Sequence, residues 1–240
     1  MKISIIIPNY NKANYVIDCL QSCLNQSYKN TEIIFIDNES TDNSLEIVNK
    51  YKEETKANFI IDTAKNIYPQ CWDECLELAE NKYITGDYYT IIGSDDVIHE
   101  NYIGNSVKLL SINKPLFFQS SIVWFSEGKI LREVSYDYKD INDFKMQLLT
   151  KCCVNTPTVF YKKDFKKDLQ IAPEPAKYSG ANDYALYCEI ANKNILIENC
   201  QKWLGYYYRI SAEQATWNMH KSKINYDKLI QKKWREKWMN

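Results

Sequence analysis

The sequence predicts an α/β fold: a mostly parallel central sheet with helices on both faces. Two observations carry this. Across the first half, short β-branched runs alternate with longer stretches whose apolar residues recur at helical spacing. At the carboxyl ends of those runs, polar and acidic residues gather as PNYN (8–11), DNES (37–40), DTAKN (62–66) and GSDD (93–96). Open α/β sheets bind ligands along that edge.

The elements follow in order. KISIII (2–7) is a continuous apolar run, as expected for a strand buried on both faces, and Pro8 stops it. Residues 13–27 form a helix, with Tyr15, Val16, Cys19, Leu20, Cys23 and Leu24 along one face. TEIIFID (31–37) is the second strand. STDNSLEIVNKYKEE (40–54) is a helix opened by Ser, Thr and Asp, with Leu45, Ile47 and Val48 inward. NFIID (58–62) is the third strand, and PQCWDECLELAEN (69–81) is a helix with Pro69 near its start. YYTII (88–92) is the fourth strand, followed by a helix near 100–111. The pattern then changes. Residues 115–138 read as a hairpin around SEGK, TPTVFY (156–161) and WLGYYYRIS (203–211) as strands, and 140–150, 181–192 and the basic tail as helices. No repeat or Pro/Gly-rich linker divides the 240 residues, so one domain is expected.

Composition narrows the function. With 30 Lys and Arg against 31 Asp and Glu, the net charge of −1 does not point to a nucleic-acid binder. The 19 Tyr suit sugar and base recognition, and equally a core edge. No apolar run approaches the ~20 residues that cross a bilayer, and MKISIIIPNY lacks the features of a signal peptide. A cytoplasmic location is therefore expected. The eight Cys, with pairs at 19/23, 71/75 and 152/153, read as small buried hydrophobes. Without a C-x-x-C, and with only His99 and His220, a Cys/His zinc site is not expected. The six Gly form no G-x-G, which removes the dinucleotide fingerprint and the P-loop.

IIGSDD (91–96) carries the chemical question. Two adjacent carboxylates repel unless a cation or hydrogen-bond donors offset them. On this stretch alone a turn or helix cap serves as well as a ligand site.

The opening block SIIIPNYNKANYVIDCLQSCLNQSYKNTEIIFIDNESTDNSLEIV resembles the N-terminal signature of family 2 glycosyltransferases of GT-A fold, closely over the first ~110 residues and loosely beyond. The resemblance implies transfer of a sugar from a nucleotide-sugar donor to an acceptor hydroxyl on a glycan or lipid-linked saccharide. A divalent cation, Mn²⁺ or Mg²⁺, would assist, the route would be inverting, and UDP-sugar is the favoured donor. It places Pro8, Asn9, Tyr10, Asn11, Asp37, Asn66, Ser94 and Arg209 at the nucleotide. Tyr10 would pack on the base, Asp37 would accept from base or ribose, and Arg209 would reach the diphosphate. GSD stands in the place of the family's D-x-D, so Asp95 inherits the metal, with Asp96 the common extra acid. SGANDYALYCEIA resembles the block that supplies the catalytic base, which makes Asp183 the candidate. Residues 1–112 would then form the nucleotide-sugar half, 113–218 the acceptor half and 219–240 a basic C-terminal helix.

The match has departures. Asn38 replaces an acid, Gly93 replaces the first D-x-D acid, and Asn182 replaces Glu before Asp183. An Arg common in the family is absent from QCWDEC, and Lys65 or Asn66 would stand in for it in part. Asp183 also reads as an N-terminal helix acid, and Arg209 as the partner of a surface acid. Trp203, Tyr206, Tyr207 and Tyr208 read as an acceptor platform or as strand packing. In the tail, Ile230, Trp234 and Trp238 at i,i+4 fit a helix on an anionic membrane, or one packed on its own domain. Two rivals stand beside an active transferase. One is a non-catalytic nucleotide-sugar-binding or scaffold protein of the same fold. The other is a sugar-1-phosphate nucleotidyltransferase, which would want a glycine-rich N-terminal loop.

Overall fold

The computed structural model describes residues 1–67, 72–171, 177–211 and 223–239. Pro69 and Cys71 at the expected start of the third helix, His220, and the first residues of the expected tail helix lie outside them.

A nine-stranded sheet organises the chain. Its parallel part has the order β3 (Ile60–Thr63), β2 (Thr31–Asp37), β1 (Ile3–Asn9), β4 (Tyr88–Ile91). Ile5 of β1 sits between Ile33 and Thr90. The connections are α1 (Val16–Leu24), α2 (Ser44–Thr55) and α3 (Asp73–Lys82), as the alternating pattern predicts.

Beyond β4 the sheet becomes mixed. β5 (Val97–Ile98) and α4 (Tyr102–Asn113) lead into the hairpin of β6 (Phe117–Ser126) and β7 (Lys129–Val134). α5 (Ile141–Leu148), β8 (Phe160–Lys162), α6 (Phe165–Asp168), α7 (Asn182–Asn192), β9 (Glu198–Arg209) and α8 (Tyr226–Trp238) complete the described chain. β8 inserts antiparallel between β4 and β6, β9 runs parallel to β6, and β5 pairs antiparallel with the end of β9. That last pairing brings Val97 opposite Tyr207, so residues 95–96 meet the end of a strand more than a hundred residues away.

Both faces of the sheet are covered. Ile5 and Ile7 face a core with Cys19, Leu20, Val48 and Ile103, from α1, α2 and α4. Ile6 faces the opposite core with Ala79, Phe144, Tyr187 and Trp234, from α3, α5, α7 and α8. Each fully buried aliphatic or aromatic side chain of this kind contributes about 1.5–3 kcal/mol. Within α2, Val48 is buried while Leu45 and Ile47 are partly buried.

One expected strand is different. In TPTVFY, Thr156–Thr158 form a 3-10 turn and only Phe160 and Tyr161 join β8. Pro157 has no N–H to give a ladder. The Thr158 hydroxyl serves Ser120 instead, accepting from its N–H at 3.1 Å and donating to its carbonyl at 3.0 Å.

Candidate active site

The loops after β1 and β2 are sewn together by side chains. Asn9 Nδ2 donates to Asp37 Oδ1 at 2.8 Å, Ser44 Oγ at 3.0 Å and Ser40 Oγ at 3.1 Å. Asn11 turns the chain with φ 54°, a left-handed conformation Asn tolerates. Its Oδ1 accepts from the N–H groups of Thr41 at 2.7 Å and Asp42 at 3.2 Å. Asp37 is 1% exposed; its carboxylate accepts from Asn9, Ser40 Oγ at 2.7 Å and Ser40 N at 2.8 Å. Asp37 thus shapes the loop from beneath. Asn38 ties the loop to the end of β3, donating to the Lys65 carbonyl at 3.1 Å.

These loops open into a cleft of about 1410 Å³ at the carboxyl ends of β1, β2 and β4. Pro8, Asn9, Tyr10, Asn11, Asn38, Asn66 and Ser94 line it, with Gly93, Asp95, Asp96 and Asp183. Two buried carbonyl oxygens on lining residues, Asn9 Oδ1 and Asn66 Oδ1, have no hydrogen-bond partner among the described residues. A bound N–H donor would remove the cost of leaving such an acceptor unpaired. Tyr10 is 42% exposed, so its ring is open to a stacking partner.

The GSDD turn answers the repulsion question locally. Asp96 N donates to the Gly93 carbonyl at 2.9 Å and folds the Asp96 side chain inward, 2% exposed. Tyr206 Oη donates to Asp96 Oδ2 at 2.7 Å, and the Arg209 main-chain N–H donates to Oδ1 at 2.8 Å. Burial and the neighbouring Asp95 push the Asp96 carboxyl well above its ordinary range, against the pull of these two donors. Asp95 turns the other way and pairs with Lys12, whose Nζ lies 2.8 Å from Oδ2. Gly93 is required by this packing: a Cβ there would lie 2.9 Å from Asp96 Oδ2 and 3.2 Å from Asp95 Oδ1. A first acid at this position would collide with the two that follow it.

Arg209 does not line the cleft. Its Nε donates to the Asp95 carbonyl at 2.6 Å, and its guanidinium lies 4.7 Å from the Tyr15 ring centre and 4.6 Å from that of Phe125. Asp18 stands 3.7 Å away. In the described structure Arg209 braces the aspartate turn and is not extended toward a diphosphate.

The donor set admits a divalent cation in one way. Each Asp96 oxygen already accepts a hydrogen bond and the residue is 2% exposed, so in this structure Asp96 holds the turn. Asp95 lines the cleft, and one carboxylate with diphosphate oxygens is a donor set that hard divalent ions accept. Among the described residues no cluster of three or more His, Cys, Asp or Glu offers an all-protein metal site.

Asp183, also in the cleft lining, stands in the first turn of α7. Burial raises its pKa from the ordinary carboxylate value. Thr156 Oγ1, donating at 2.6 Å, and the Tyr184 N–H, at 2.7 Å, work in the opposite direction. Asn182, where the family pattern has Glu, donates to Asp73 Oδ2 at 2.6 Å and anchors α7 to the start of α3. Of the four aromatics read as a platform, only Tyr208 lines the cleft. Tyr206 is fully buried on Asp96, and Trp203 packs edge-on to Tyr207 and His99. The tail helix turns its apolar stripe inward, with Ile230 0% and Trp234 1% exposed, so that face is not presented to a membrane. Among the described residues no helix is long and apolar enough to cross a membrane.

Lys12, Thr156, Trp72 and Trp124 also line the cleft, and the sequence reading did not single them out. Lys12 alone had a local signal, being the cation beside PNYN.

Comparison with known proteins gives the family and the fold. The family described as Glycosyl transferase family 2 matches residues 4–169, well over half of the chain. An Escherichia coli protein, UDP-Glc:alpha-D-GlcNAc-diphosphoundecaprenol beta-1,3-glucosyltransferase WfaP, is 28% identical over 232 residues, covering 95% of this chain and 85% of that one. An uncharacterised glycosyltransferase of Rickettsia felis is 30% identical over 198 residues, which are 80% of this chain but 31% of that longer protein. In structure, S. aureus TarS 1-349 in complex with UDP-GlcNAc superposes with a TM-score of 0.73 at 19% identity, over 93% of this chain and 62% of that one. The mannosyltransferase PcManGT of Pyrobaculum calidifontis, in complex with GDP-Man and Mn²⁺, gives 0.62 at 15% identity, over 96% of this chain and 68% of that one. The fold is that of the GT-A glycosyltransferases, and the chain belongs to glycosyl transferase family 2.

Proposed function

We propose that this protein transfers a sugar from a nucleotide-diphosphate sugar, UDP-sugar first, to a hydroxyl of a glycan or lipid-linked saccharide in bacterial surface polysaccharide synthesis. The observation that carries the reading is a cleft whose lining includes Tyr10, Asn66, Asp95 and Asp183. Residues 1–112 supply the donor half and 113–218 the acceptor half. The UDP and lipid-linked acceptor in the E. coli relative's name support the choice of substrates.

In this reading Tyr10 stacks on the base, and the unpaired oxygens of Asn9 and Asn66 accept from its N–H groups. Asp95 would hold a divalent cation, Mn²⁺ or Mg²⁺, whose chemistry is to screen the charge that develops on the leaving diphosphate. Asp96, Tyr206 and Arg209 keep the Asp95 turn in place. Asp183 takes the proton from the acceptor hydroxyl as its oxygen attacks the anomeric carbon. Its raised pKa suits that role, because a base closer to the working pH shares a proton more effectively. One in-line displacement inverts the anomeric centre and needs no covalent intermediate.

Incubation with a panel of UDP- and GDP-sugars and Mn²⁺ tests the reading through released nucleoside diphosphate. Release by the wild type and its loss in Asp183→Asn supports transfer chemistry. Binding of nucleotide without any release favours the non-catalytic rival, and pyrophosphate from a nucleoside triphosphate favours the nucleotidyltransferase.

A further inference from the structure

Lys12 has no counterpart among the roles assigned above, yet its placement is specific. It follows the left-handed turn at Asn11, and its carbonyl accepts from the N–H groups of Tyr15 at 2.9 Å and Val16 at 3.0 Å. The backbone is thereby fixed as the entry to α1. The side chain is 14% exposed and the Asp95 side chain 16%, with Nζ 2.8 Å from Oδ2, and both residues line the cleft. A positive charge is therefore already resting on the more exposed carboxylate of this turn.

A divalent ion and an ammonium cannot share that oxygen closely. At a separation of about 4 Å in a partly buried site, like charges repel by several kcal/mol. A Lys head is a compact point charge on a flexible four-carbon stem, and it can swing where Arg209, clamped between two rings, cannot. It also binds phosphate well as a point charge.

Resting on the nucleotide-diphosphate reading of the cleft, we infer that Lys12 is a resident cation of this site. It holds Asp95 while the cleft is empty, competes with a divalent ion for that carboxylate, and moves to the diphosphate when nucleotide enters. Two consequences of opposite sign follow. Removing the ammonium strengthens binding of the bare metal ion, because Asp95 loses its competitor. The same removal weakens binding of nucleotide in the absence of metal, because the diphosphate loses the cation that sits beside Asp95.

The test measures Mn²⁺ alone, by electron paramagnetic resonance of the free ion, and UDP in EDTA, by calorimetry. The proteins are wild type, Lys12→Met and Lys12→Arg. Lys12→Met should bind Mn²⁺ roughly 3–10-fold more tightly and UDP in EDTA roughly tenfold more weakly. Lys12→Arg keeps the charge and should stay near wild type in both, which separates the effect from loss of folding. Mn²⁺ affinity that is unchanged or weaker in Lys12→Met overturns the competition. A wild type that binds UDP only with Mn²⁺ overturns the diphosphate role while leaving the nucleotide site standing. A wild type that binds neither UDP nor GDP with Mn²⁺ overturns the site reading and this inference together.

Discussion

The main-chain N–H of Arg209 donates to Oδ1 of Asp96 at 2.8 Å, across 113 positions of sequence. The carboxylate pair is therefore held by the end of β9, through the pairing of β5 with β9. Tyr206 adds the second hold on Asp96, donating at 2.7 Å while accepting from Gly93 N at 3.3 Å. Tyr206→Phe keeps the ring and removes the hydroxyl. It should cost about 1–3 kcal/mol by leaving Asp96 short of a donor, and urea unfolding reads this. Metal-dependent UDP affinity should fall as well, since the turn that presents Asp95 loosens. An unchanged unfolding midpoint would mean that the hydroxyl does not hold Asp96.

Gly93 predicts an outcome that runs against family resemblance. Restoring the missing first acid with Gly93→Asp should weaken nucleotide binding, because even a methyl at this position would lie 2.9 Å from Asp96 Oδ2. Gly93→Ala should cost about 1–3 kcal/mol through overpacking. Thermal unfolding and UDP titration measure the two effects. Tighter binding in Gly93→Asp would refute the steric explanation.

In the proposed mechanism Asp183 is the general base, and the pH profile of transfer should report it. A general base must be ionised, so the rate falls as pH drops through its pKa. Burial places that pKa above the ordinary value of 3.8, and the acid limb should accordingly lie above the usual carboxylate range. The Thr156 hydroxyl favours the ionised form, so Thr156→Val should move the limb to still higher pH. Asp183→Asn should lower the rate roughly 10²–10⁴-fold with UDP affinity retained. A limb that moves to lower pH in Thr156→Val would contradict this role.

Trp234 separates the two readings of the tail. At 1% exposure it belongs to the core under α7 and α5, and Trp234→Ala should cost about 3–5 kcal/mol of stability. Co-sedimentation with anionic vesicles should not depend on Trp234. A stable variant that loses vesicle binding would restore the membrane reading.

The parallel half of the fold was legible because each element had its own periodicity. β2 begins and ends where TEIIFID does, since a strand buried over most of its length reads as an unbroken apolar run. The hairpin of β6 and β7 was visible in the SEGK turn between two β-rich runs. The position of β9 was not, because its parallel partner β6 lies some eighty residues earlier and no local pattern encodes that pairing. The same non-local contact explains Arg209. Sequence position put it near the diphosphate, while strand pairing turned it onto the Asp95 carbonyl. Asp37 was placed at the nucleotide by motif, whereas its part in the loop, accepting from Asn9 and Ser40, had no local signal. Thr156 was hidden because Pro157 converts the expected strand into a turn.

The reading of the cleft lined by Tyr10, Asp95 and Asp183 as a nucleotide-diphosphate site rests on Asp95. Calorimetric titration of UDP into the wild type and Asp95→Ala, with and without Mn²⁺, tests it most directly. Mn²⁺ should tighten UDP binding in the wild type, and Asp95→Ala should abolish this gain. Equal Mn²⁺-dependent binding by both proteins would contradict it.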